Sequence, residues 1–321
     1  MGLFTDFYVG LNIGRYQVDG VKLKKSGKKM EVVSKVSIPY KKKPFDGESL
    51  KDENEIVIAL GNAGSALKIN MEDVISTALF PDKILFRQIE IPNMPVQQVP
   101  NAAKFQIVKE LSISPEEITV DVDVNRSMNS SNLLISAFVV RNEDISKFNT
   151  LFFKSALPFP DILDAGYFKF NYLLEDHLSK GLTFVVFEDI SSTYMELFKD
   201  GKLVGIDSVL GGTEGITDDT DNDGIKSHYM ELSDSLQKLS RMMLSRFSMS
   251  NEKIDSVICT SEFEKYIDVW CEILKELQIA KKTFSYPEIV NLELDVPLNA
   301  YSLAMRGVLD NSKTKFLSKK N

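Results

Sequence analysis

The sequence is poor in the residues on which most redox and metal chemistry depends. Its 321 residues include two cysteines and two histidines. Cys259 and Cys271 form no disulfide framework and lack zinc-site spacing, and His177 and His228 are too few for a multi-histidine metal centre. No run approaches the ~18 apolar residues of a spanning helix, and the first residues lack the positive start of a signal peptide. These absences predict a protein of a reducing, cytoplasmic compartment with no metal site.

The overall composition is that of a folded protein of about two domains. Hydrophobic residues make up 43% of the chain and charged residues 26%, which excludes the low-hydrophobicity profile of a disordered chain. The 46 acidic side chains outnumber the 38 basic ones, for a net charge of -8. Because general nucleic-acid binding needs a clustered positive field, this balance argues against a nucleic-acid partner.

Short runs rich in Val, Ile, Leu and Tyr predict an antiparallel strand meander at the start of the chain and a second one in the second half. The pattern between the meanders, strand, helix, strand, strand, helix, is typical of an inserted α+β subdomain. The predicted meander strands are Phe7–Ile13, Asp19–Lys24 and Glu31–Pro39, then Phe184–Phe187, Tyr194–Phe198 and Leu203–Ser208.

The rest of the chain carries weaker patterns. Ile56–Ile69 predicts a strand followed by a turn at Gly61–Gly64, and Ala165–Leu178 predicts a helix. Ser312–Asn321 is basic and polar, which predicts a disordered tail. The remaining predicted elements are strands at Lys83–Ile91, Ile118–Val124, Leu133–Val140, Ile254–Thr260 and Thr283–Tyr286, and helices at Asn142–Ala156, Ser227–Arg246, Glu262–Leu277 and Asn299–Leu309, with one more after Pro100.

Several short motifs, in this order and spacing, resemble one known family. They are Tyr8-Val9-Gly10-Leu11-Asn12-Ile13-Gly14, Phe86-Arg87-Gln88-Ile89-Glu90-Ile91-Pro92 with Met94-Pro95, the Phe198-Lys199-Asp200-Gly201 hairpin, Gly211-Gly212, and the segment from Tyr301 to Leu309. The chain resembles the PilM family of type IV pilus assembly proteins, relatives of the division protein FtsA. The resemblance spans nearly the whole chain.

This resemblance implies an α/β fold of actin-like type, a duplicated ribonuclease H-like arrangement of two domains with an α+β inserted subdomain. The implied first domain covers residues 1–82 and 158–180, interrupted by the inserted subdomain at 83–157. The implied second domain covers 181–286. Residues 287–321 then form a return helix to the first domain and the basic tail.

Nucleotide binding is the chemistry expected of that fold. The resemblance places Asn12, Gly14 and Arg15 from the first half and Gly211 and Gly212 from the second in the nucleotide cleft. The family's motif residues are altered, however: Asn12 stands where an Asp is usual and Asp19 near the usual Lys, and Phe187-Glu188-Asp189-Ile190-Ser191 replaces Asp-x-Gly-x-Ser. These changes remove a charge that would bind metal, and they remove the glycine that lets the backbone come close to the phosphates. We therefore expect a degenerate site without ATPase activity, with ATP as the one cofactor it leaves open.

A protein partner is the stronger functional expectation. The resemblance implies a cytoplasmic scaffold that binds the N-terminal peptide of a PilN-like inner-membrane protein, meets other pilus-machine proteins, and reaches the membrane through them. Phe86, Ile89, Phe105 and Val108 are the candidate peptide-binding residues. Two alternatives stay open: an ATP-binding, polymerising actin-like protein of cell division, and the cytoplasmic part of a type II secretion platform.

A last motif concerns calcium. Asp219–Gly224 matches the first half of a calcium-binding loop, but the twelfth position, normally Glu, is Met230. The sequence therefore favours a solvated acidic loop before a helix over a calcium site.

Overall fold

A computed structural model describes residues 6–27, 29–125, 131–216, 220–261, 266–290, 295–309 and 317–318. By its internal contacts the chain divides into two units. The first comprises residues 1–44, 50–172 and 295–321, and the second residues 45–49 and 173–294. Within the described ranges, no helix is both long enough and apolar enough to cross a membrane.

The chain is a mixture of strands and helices. In chain order they are β1 (Asp6–Ile13), β2 (Gln17–Ser26), β3 (Lys29–Pro39), β4 (Phe45–Asp46), β5 (Ser49–Leu50), α1 (Glu53–Leu67), β6 (Val74–Leu79), β7 (Ile84–Pro92), α2 (Val99–Leu111), β8 (Ile118–Asn125), β9 (Asn132–Arg141), α3 (Asn142–Lys154), β10 (Ile162–Ala165), α4 (Glu175–Leu178), β11 (Leu182–Glu188), β12 (Ser192–Lys199), β13 (Lys202–Leu210), α5 (Asn222–Arg246), β14 (Ser256–Ser261), α6 (Ile267–Glu276), β15 (Lys282–Ser285), α7 (Tyr286–Val290), α8 (Leu298–Leu309) and β16 (Leu317–Ser318).

The first unit is built on a six-stranded sheet in the order β16-β10-β6-β1-β2-β3. The antiparallel meander β1-β2-β3 continues through β6 and β10, which run parallel to β1. Helix α8 packs closely against β1, because a Cβ on Gly10 would lie only 1.9 Å from the carbonyl oxygen of Ala300. On β2, a Cβ on Gly20 would meet the side chain of Leu67 in α1. Glycine in both strands thus lets a helix approach the sheet.

The inserted subdomain is a three-stranded antiparallel sheet in the order β7-β9-β8. Helix α2 covers one of its faces, and their shared core includes Ile89, Ile91, Ala103, Ile107 and Ile135. The strand residues in this core are two apart and the helix residues four apart. Both spacings are those of elements with one buried face.

The second unit repeats the same plan. Its five-stranded sheet has the order β13-β12-β11-β14-β15, in which β11, β12 and β13 form an antiparallel meander and β14 and β15 run parallel to β11. Helices α5 and α6 pack on one face, where the rings of Tyr229 and Trp270 stack at a centroid distance of 5.7 Å. The two meanders predicted from the sequence are therefore confirmed, strand by strand.

The predicted strand and turn at Ile56–Ile69 are wrong, since residues 56–67 lie in α1 and Lys68 is its C-cap. A continuous apolar run is compatible with either a buried strand or a helix. The helix forms because Ile56, Ala59, Leu60, Ala63 and Leu67 are buried at helical spacing. The side chain of Asp52 accepts a hydrogen bond from the Asn54 N–H and caps the first turn.

The predicted helix at Ala165–Leu178 is also largely wrong. Ala165 ends strand β10, residues 166–173 form a 3-10 segment, and only Glu175–Leu178 is α-helical. Strand β6, with which β10 pairs in parallel, was not predicted. Both strands are buried on their two faces and so lack the alternation that marks a half-exposed strand. In the tail predicted to be disordered, Leu317–Ser318 pairs with β10.

Replacing each of the two glycines inside α1 by alanine is expected to have opposite effects on stability. A Cβ on Gly61 would meet only the Ser155 carbonyl oxygen at 3.6 Å, whereas one on Gly64 would lie 2.3 Å from the Leu157 side chain. Gly61→Ala is therefore expected to raise the free energy of unfolding by about 0.5–1 kcal/mol through helix propensity. Gly64→Ala, the matched control, should lower it. Urea denaturation of both variants checks this, and equal shifts would contradict the packing.

A buried ion pair joins α8 to β10 in the first unit. Arg306 and Asp164 are both fully buried, and Arg306 Nε donates to Asp164 Oδ2 at 2.8 Å. The hydroxyl of Tyr172 donates to the same carboxylate oxygen. Burial raises the pKa of Asp164 to about 6, although Arg306, Tyr172 and the Ala165 N–H each lower it.

This raised pKa predicts a pH dependence of stability. The folded state binds the Asp164 proton more tightly than the unfolded state does. The contribution of this proton to the free energy of unfolding is therefore complete below pH 4. We expect it to fall by about 3 kcal/mol as the pH rises from ~4 to ~6. The difference in unfolding free energy between wild type and Asp164→Asn, measured from pH 4 to 7, isolates this group. A difference that does not change with pH would contradict the expectation.

Candidate functional site

The turn after β1 contains the first group of predicted nucleotide-site residues. The backbone groups of Gly14 are already used, because its N–H donates to the Gln17 carbonyl at 3.0 Å and the Tyr40 hydroxyl donates to its carbonyl at 2.9 Å. Asn12 is buried at the end of β1, and its Oδ1 lies 3.4 Å from Lys169 Nζ. The turn is therefore a closed structure tied into the first unit.

Arg15 is buried rather than held out as a free cation. Its side chain is 1% exposed, and Nη2 lies 3.1 Å from Asp82 Oδ1. The guanidinium carbon lies 4.5 Å from the ring centroid of Phe80, the geometry of a cation–π contact. Because Asp82 neutralises the guanidinium, a phosphate at this position would have to compete with an ion pair that is already formed.

Asp19 and Lys169 form a second buried charge cluster beside this turn. Asp19 Oδ1 accepts hydrogen bonds from Gln17 Nε2 at 2.8 Å and from Ser37 Oγ at 2.5 Å. Burial raises the pKa of Asp19, while these hydrogen bonds, one from Asn12 and the charge of Lys169 lower it. The cluster thus has a carboxylate, Asp19, near the position where the resemblance implies a lysine, and its ammonium group comes from Lys169.

Sequence reasoning missed Lys169. It lies in the 3-10 segment after β10, is 4% exposed, and is the lone charge in the run Gly-Tyr-Phe-Lys-Phe-Asn-Tyr-Leu. An isolated lysine in an apolar run was the available signal, since such a residue is buried only with a partner. Because a helix was predicted at this position, the lysine was not recognised as a buried residue.

Glu188 is a carboxylate of the altered motif in the second half of the chain. Its side chain points into the core of the second unit. Glu188 is fully buried at the end of β11, and its Oε2 accepts hydrogen bonds from Ser261 Oγ at 2.9 Å and the Tyr229 hydroxyl at 3.3 Å. Burial and the neighbouring Glu188 charge raise the pKa of Tyr229, so its hydroxyl stays protonated and donates. His228 Nε2 lies 3.9 Å from Glu188 Oε1. This carboxylate serves internal hydrogen bonding.

Gly211 and Gly212 hold two loops of the second unit together. The Gly211 N–H donates to the Ser191 carbonyl at 2.9 Å, and the Thr213 N–H donates to the Asp189 carbonyl at 3.0 Å. A Cβ on Gly212 would lie 2.1 Å from that same Asp189 oxygen. Packing between the loops therefore accounts for glycine here, and the amides of Gly211 and Thr213 are occupied.

The four predicted peptide-binding residues do not share one surface of the inserted subdomain. Ile89 belongs to the core under α2, and Val108 packs against that core, so Ile89 as a surface contact is corrected. Phe86 lies on the other face of the sheet, because residues three apart in a strand point to opposite faces, and its ring is 5.4 Å from that of Phe138. Phe105, on the outer side of α2, is 74% exposed.

The calcium-type loop falls partly outside the described residues, because Asp219 is not among them. Asp221 is the N-cap of α5, and its Oδ1 accepts the Gly224 N–H at 2.8 Å. In the part of the chain that the structure describes, no cluster of three or more His, Cys, Asp or Glu side chains could hold a metal ion. Cys259 and Cys271 are buried free thiols.

No protein-family model and no curated protein sequence matches the chain. Solved structures do. One chain of a structure described as a PilM-PilN type IV pilus biogenesis complex is 18% identical, with a TM-score of 0.73 over 94% of this chain and 98% of that chain. At this identity the likeness establishes the fold, and it confirms the PilM-type, actin-like α/β fold predicted from the sequence.

Two further structures are more distant. A Bacteroides thetaiotaomicron protein with an actin-like ATPase fold is 9% identical, with a TM-score of 0.48 over 93% of this chain and 95% of that one. The cytoplasmic domain of EpsL, an inner membrane component of the type II secretion system of Vibrio cholerae, is 8% identical, with a TM-score of 0.49 over 98% of each chain.

Proposed function

We propose that this chain is an actin-like scaffold of a type IV pilus assembly machine, acting at the cytoplasmic face of the inner membrane. It binds the cytoplasmic N-terminal peptide of a PilN-like membrane protein and meets other pilus proteins through that membrane-associated assembly. The observation that carries the proposal is the fold shared, over 94% of the chain, with a chain of a PilM-PilN complex.

The proposal includes the loss of ATPase activity. Phosphoryl transfer depends on free cations, metal-binding carboxylates and backbone amides placed around the phosphates. Here Arg15 is paired with Asp82, Glu188 is hydrogen-bonded inside its own unit, and the Gly211 amide is bonded to Ser191. Each group would have to give up an existing bond to act on a nucleotide, which favours a scaffold over an enzyme.

Peptide binding is proposed on the inserted subdomain, with Phe105 as the principal contact. Apolar side chains of α2 otherwise pack into or against the sheet, whereas the Phe105 ring is 74% exposed. Exposed aromatic rings next to a rigid element are frequent anchors for peptides, because they provide apolar area at little cost in conformational entropy.

Titration calorimetry of the purified full chain tests the proposal with two ligands. The first is a synthetic peptide of the cytoplasmic N-terminal segment of the PilN-like protein from the same genome, and the second is ATP with Mg²⁺. We expect micromolar or tighter binding of the peptide in the absence of ATP, and no ATP hydrolysis above background. Mg²⁺-dependent ATP binding with no response to the peptide would overturn the scaffold and favour the polymerising alternative.

Phe105→Asp is expected to weaken peptide binding at least about tenfold, because a charge would replace the apolar anchor. Folding should be unaffected, since the ring is exposed. Phe153→Asp is the matched control: Phe153 is 72% exposed on α3, and its replacement should leave the affinity unchanged. Calorimetry with the same peptide measures both variants. Equal losses in the two would show that Phe105 is not the contact.

A further inference from the structure

A groove of about 900 Å³ lies at the outer edge of the second unit's sheet. It is bounded by β15, the last strand in the sheet order, and by the segments that precede β14 and β15. Helices α6 and α7 contribute Lys275 and Glu288 to its walls. None of the residues predicted to bind nucleotide or peptide lines it, so the groove is independent of the proposed function.

The walls of the groove are positively charged in a chain whose net charge is -8. Four lysines line it, Lys253, Lys275, Lys281 and Lys282, against the two carboxylates Glu252 and Glu288. Lys275 and Lys281 are paired with Glu272 and Asp255 at 2.8 and 2.5 Å. Lys253 and Lys282 are exposed, and neither makes an ion pair with another residue of the described ranges. Their charges are available to a ligand.

The floor of the groove is apolar. Ile254 is 8% exposed, and Ile279 and Phe284 are half-buried. Phe284 packs edge-on against the ring of His177, with centroids 5.9 Å apart. The groove thus combines an apolar base with a positive rim, the arrangement suited to a segment that carries both apolar and acidic side chains.

The outer edge of β15 is short and covered. The Lys282 N–H donates to the Asp255 carbonyl at 3.1 Å, on the side of β14. Since the backbone groups of successive strand residues point in opposite directions, those of Thr283 and Ser285 point away from β14. Thr283 is 6% exposed and Ser285 3%, and the Ser285 N–H donates to Glu288 Oε2 at 3.4 Å. A ligand of the groove is therefore held by side chains and not by pairing with this strand.

We propose that this groove binds an acidic, extended segment of a partner protein, which rests its apolar side chains on the floor and places its carboxylates against Lys253 and Lys282. An anionic membrane surface is disfavoured because a bilayer cannot enter the groove to reach its apolar floor. Single-stranded nucleic acid needs exposed rings for stacking. The one aromatic residue in the lining, Phe284, is half-buried against His177.

The test uses a fluorescein-labelled ten-residue peptide of alternating Glu and Val, with fluorescence anisotropy at low ionic strength, where such attraction is least screened. The full chain is expected to bind this peptide, and Lys253→Glu/Lys282→Glu to weaken binding at least tenfold. Lys226→Glu/Lys238→Glu changes two exposed lysines of α5 in the same unit by the same charge and should leave binding unchanged. No binding, or equal loss in both variants, overturns the proposal.

Two further probes distinguish the occupants. Phosphatidylserine vesicles and an oligothymidylate should not bind through these lysines. Binding of either that is lost in Lys253→Glu/Lys282→Glu, at higher affinity than the peptide, would replace the acidic segment with a membrane or a nucleic acid.

Discussion

Replacing Arg306 by methionine is expected to lower the free energy of unfolding by about 3–5 kcal/mol at neutral pH, because it leaves Asp164 buried without its charge partner. Both side chains are fully buried, and the carboxylate retains only Tyr172 and a backbone N–H as donors. Denaturant unfolding at pH 7 measures the loss. The loss should be smaller at pH 5, where Asp164 relieves the unpaired charge by binding a proton.

Two companion variants separate the charge effect from lost packing. Asp164→Asn/Arg306→Met removes both charges and should recover most of the stability that Arg306→Met loses. Arg246→Met is the surface control: Arg246 pairs with Asp207 at 2.9 Å, but its side chain is 52% exposed. Such a pair contributes at most about 1 kcal/mol. If the double variant is no more stable than Arg306→Met, loss of shape rather than of charge is responsible.

Gly10→Ala is expected to destabilise the first unit by about 3 kcal/mol or more, as overpacking between backbones does. The new methyl group would lie 1.9 Å from the Ala300 oxygen and 2.4 Å from the Ala304 nitrogen. Both are backbone atoms of α8, so no side-chain rotation relieves the clash and the helix must move away from β1. Thermal unfolding followed by circular dichroism measures the effect.

Gly20→Ala, on the adjacent strand β2, is the matched control. Its methyl group would lie 2.5 Å from Cδ1 of Leu67, the end of a flexible side chain that can rotate away. A loss of about 1 kcal/mol is expected, at the low end of the range for overpacking. Equal melting temperatures for the two variants would show that α8 does not rest on β1 as closely as described.

Some elements were predicted well because their signals are local. Strand β3 alternates exposed and half-buried residues from end to end, and Asp200 and Gly201 adopt positive φ in the turn between β12 and β13. Such signals do not depend on tertiary contacts. Strands β6 and β10 were missed because burial of both faces removes the alternation. Helix α1 was taken for a strand because its apolar run is compatible with both.

The candidate site was predictable in part. The resemblance predicts that the turn after β1 departs from a working nucleotide site, because single positions such as Asn12 and Asp19 can be compared one by one, and this stays a prediction. It did not indicate that Arg15 is neutralised by Asp82, which is 67 residues away in sequence. Such pairings depend on how β1 and the segment after β6 meet, and no local pattern encodes that meeting.

The route of the chain has a consequence for its synthesis on the ribosome. The first unit is discontinuous: α8, which packs on β1, is made only after residues 173–294 of the second unit have emerged. Domains generally fold as units while the chain is still growing. The second unit can therefore complete its sheet first. During that time Gly10 of strand β1 is not yet covered by α8, which is made nearly 300 residues later. An interruption of translation before Leu298 would release a chain whose first sheet lacks one covering layer.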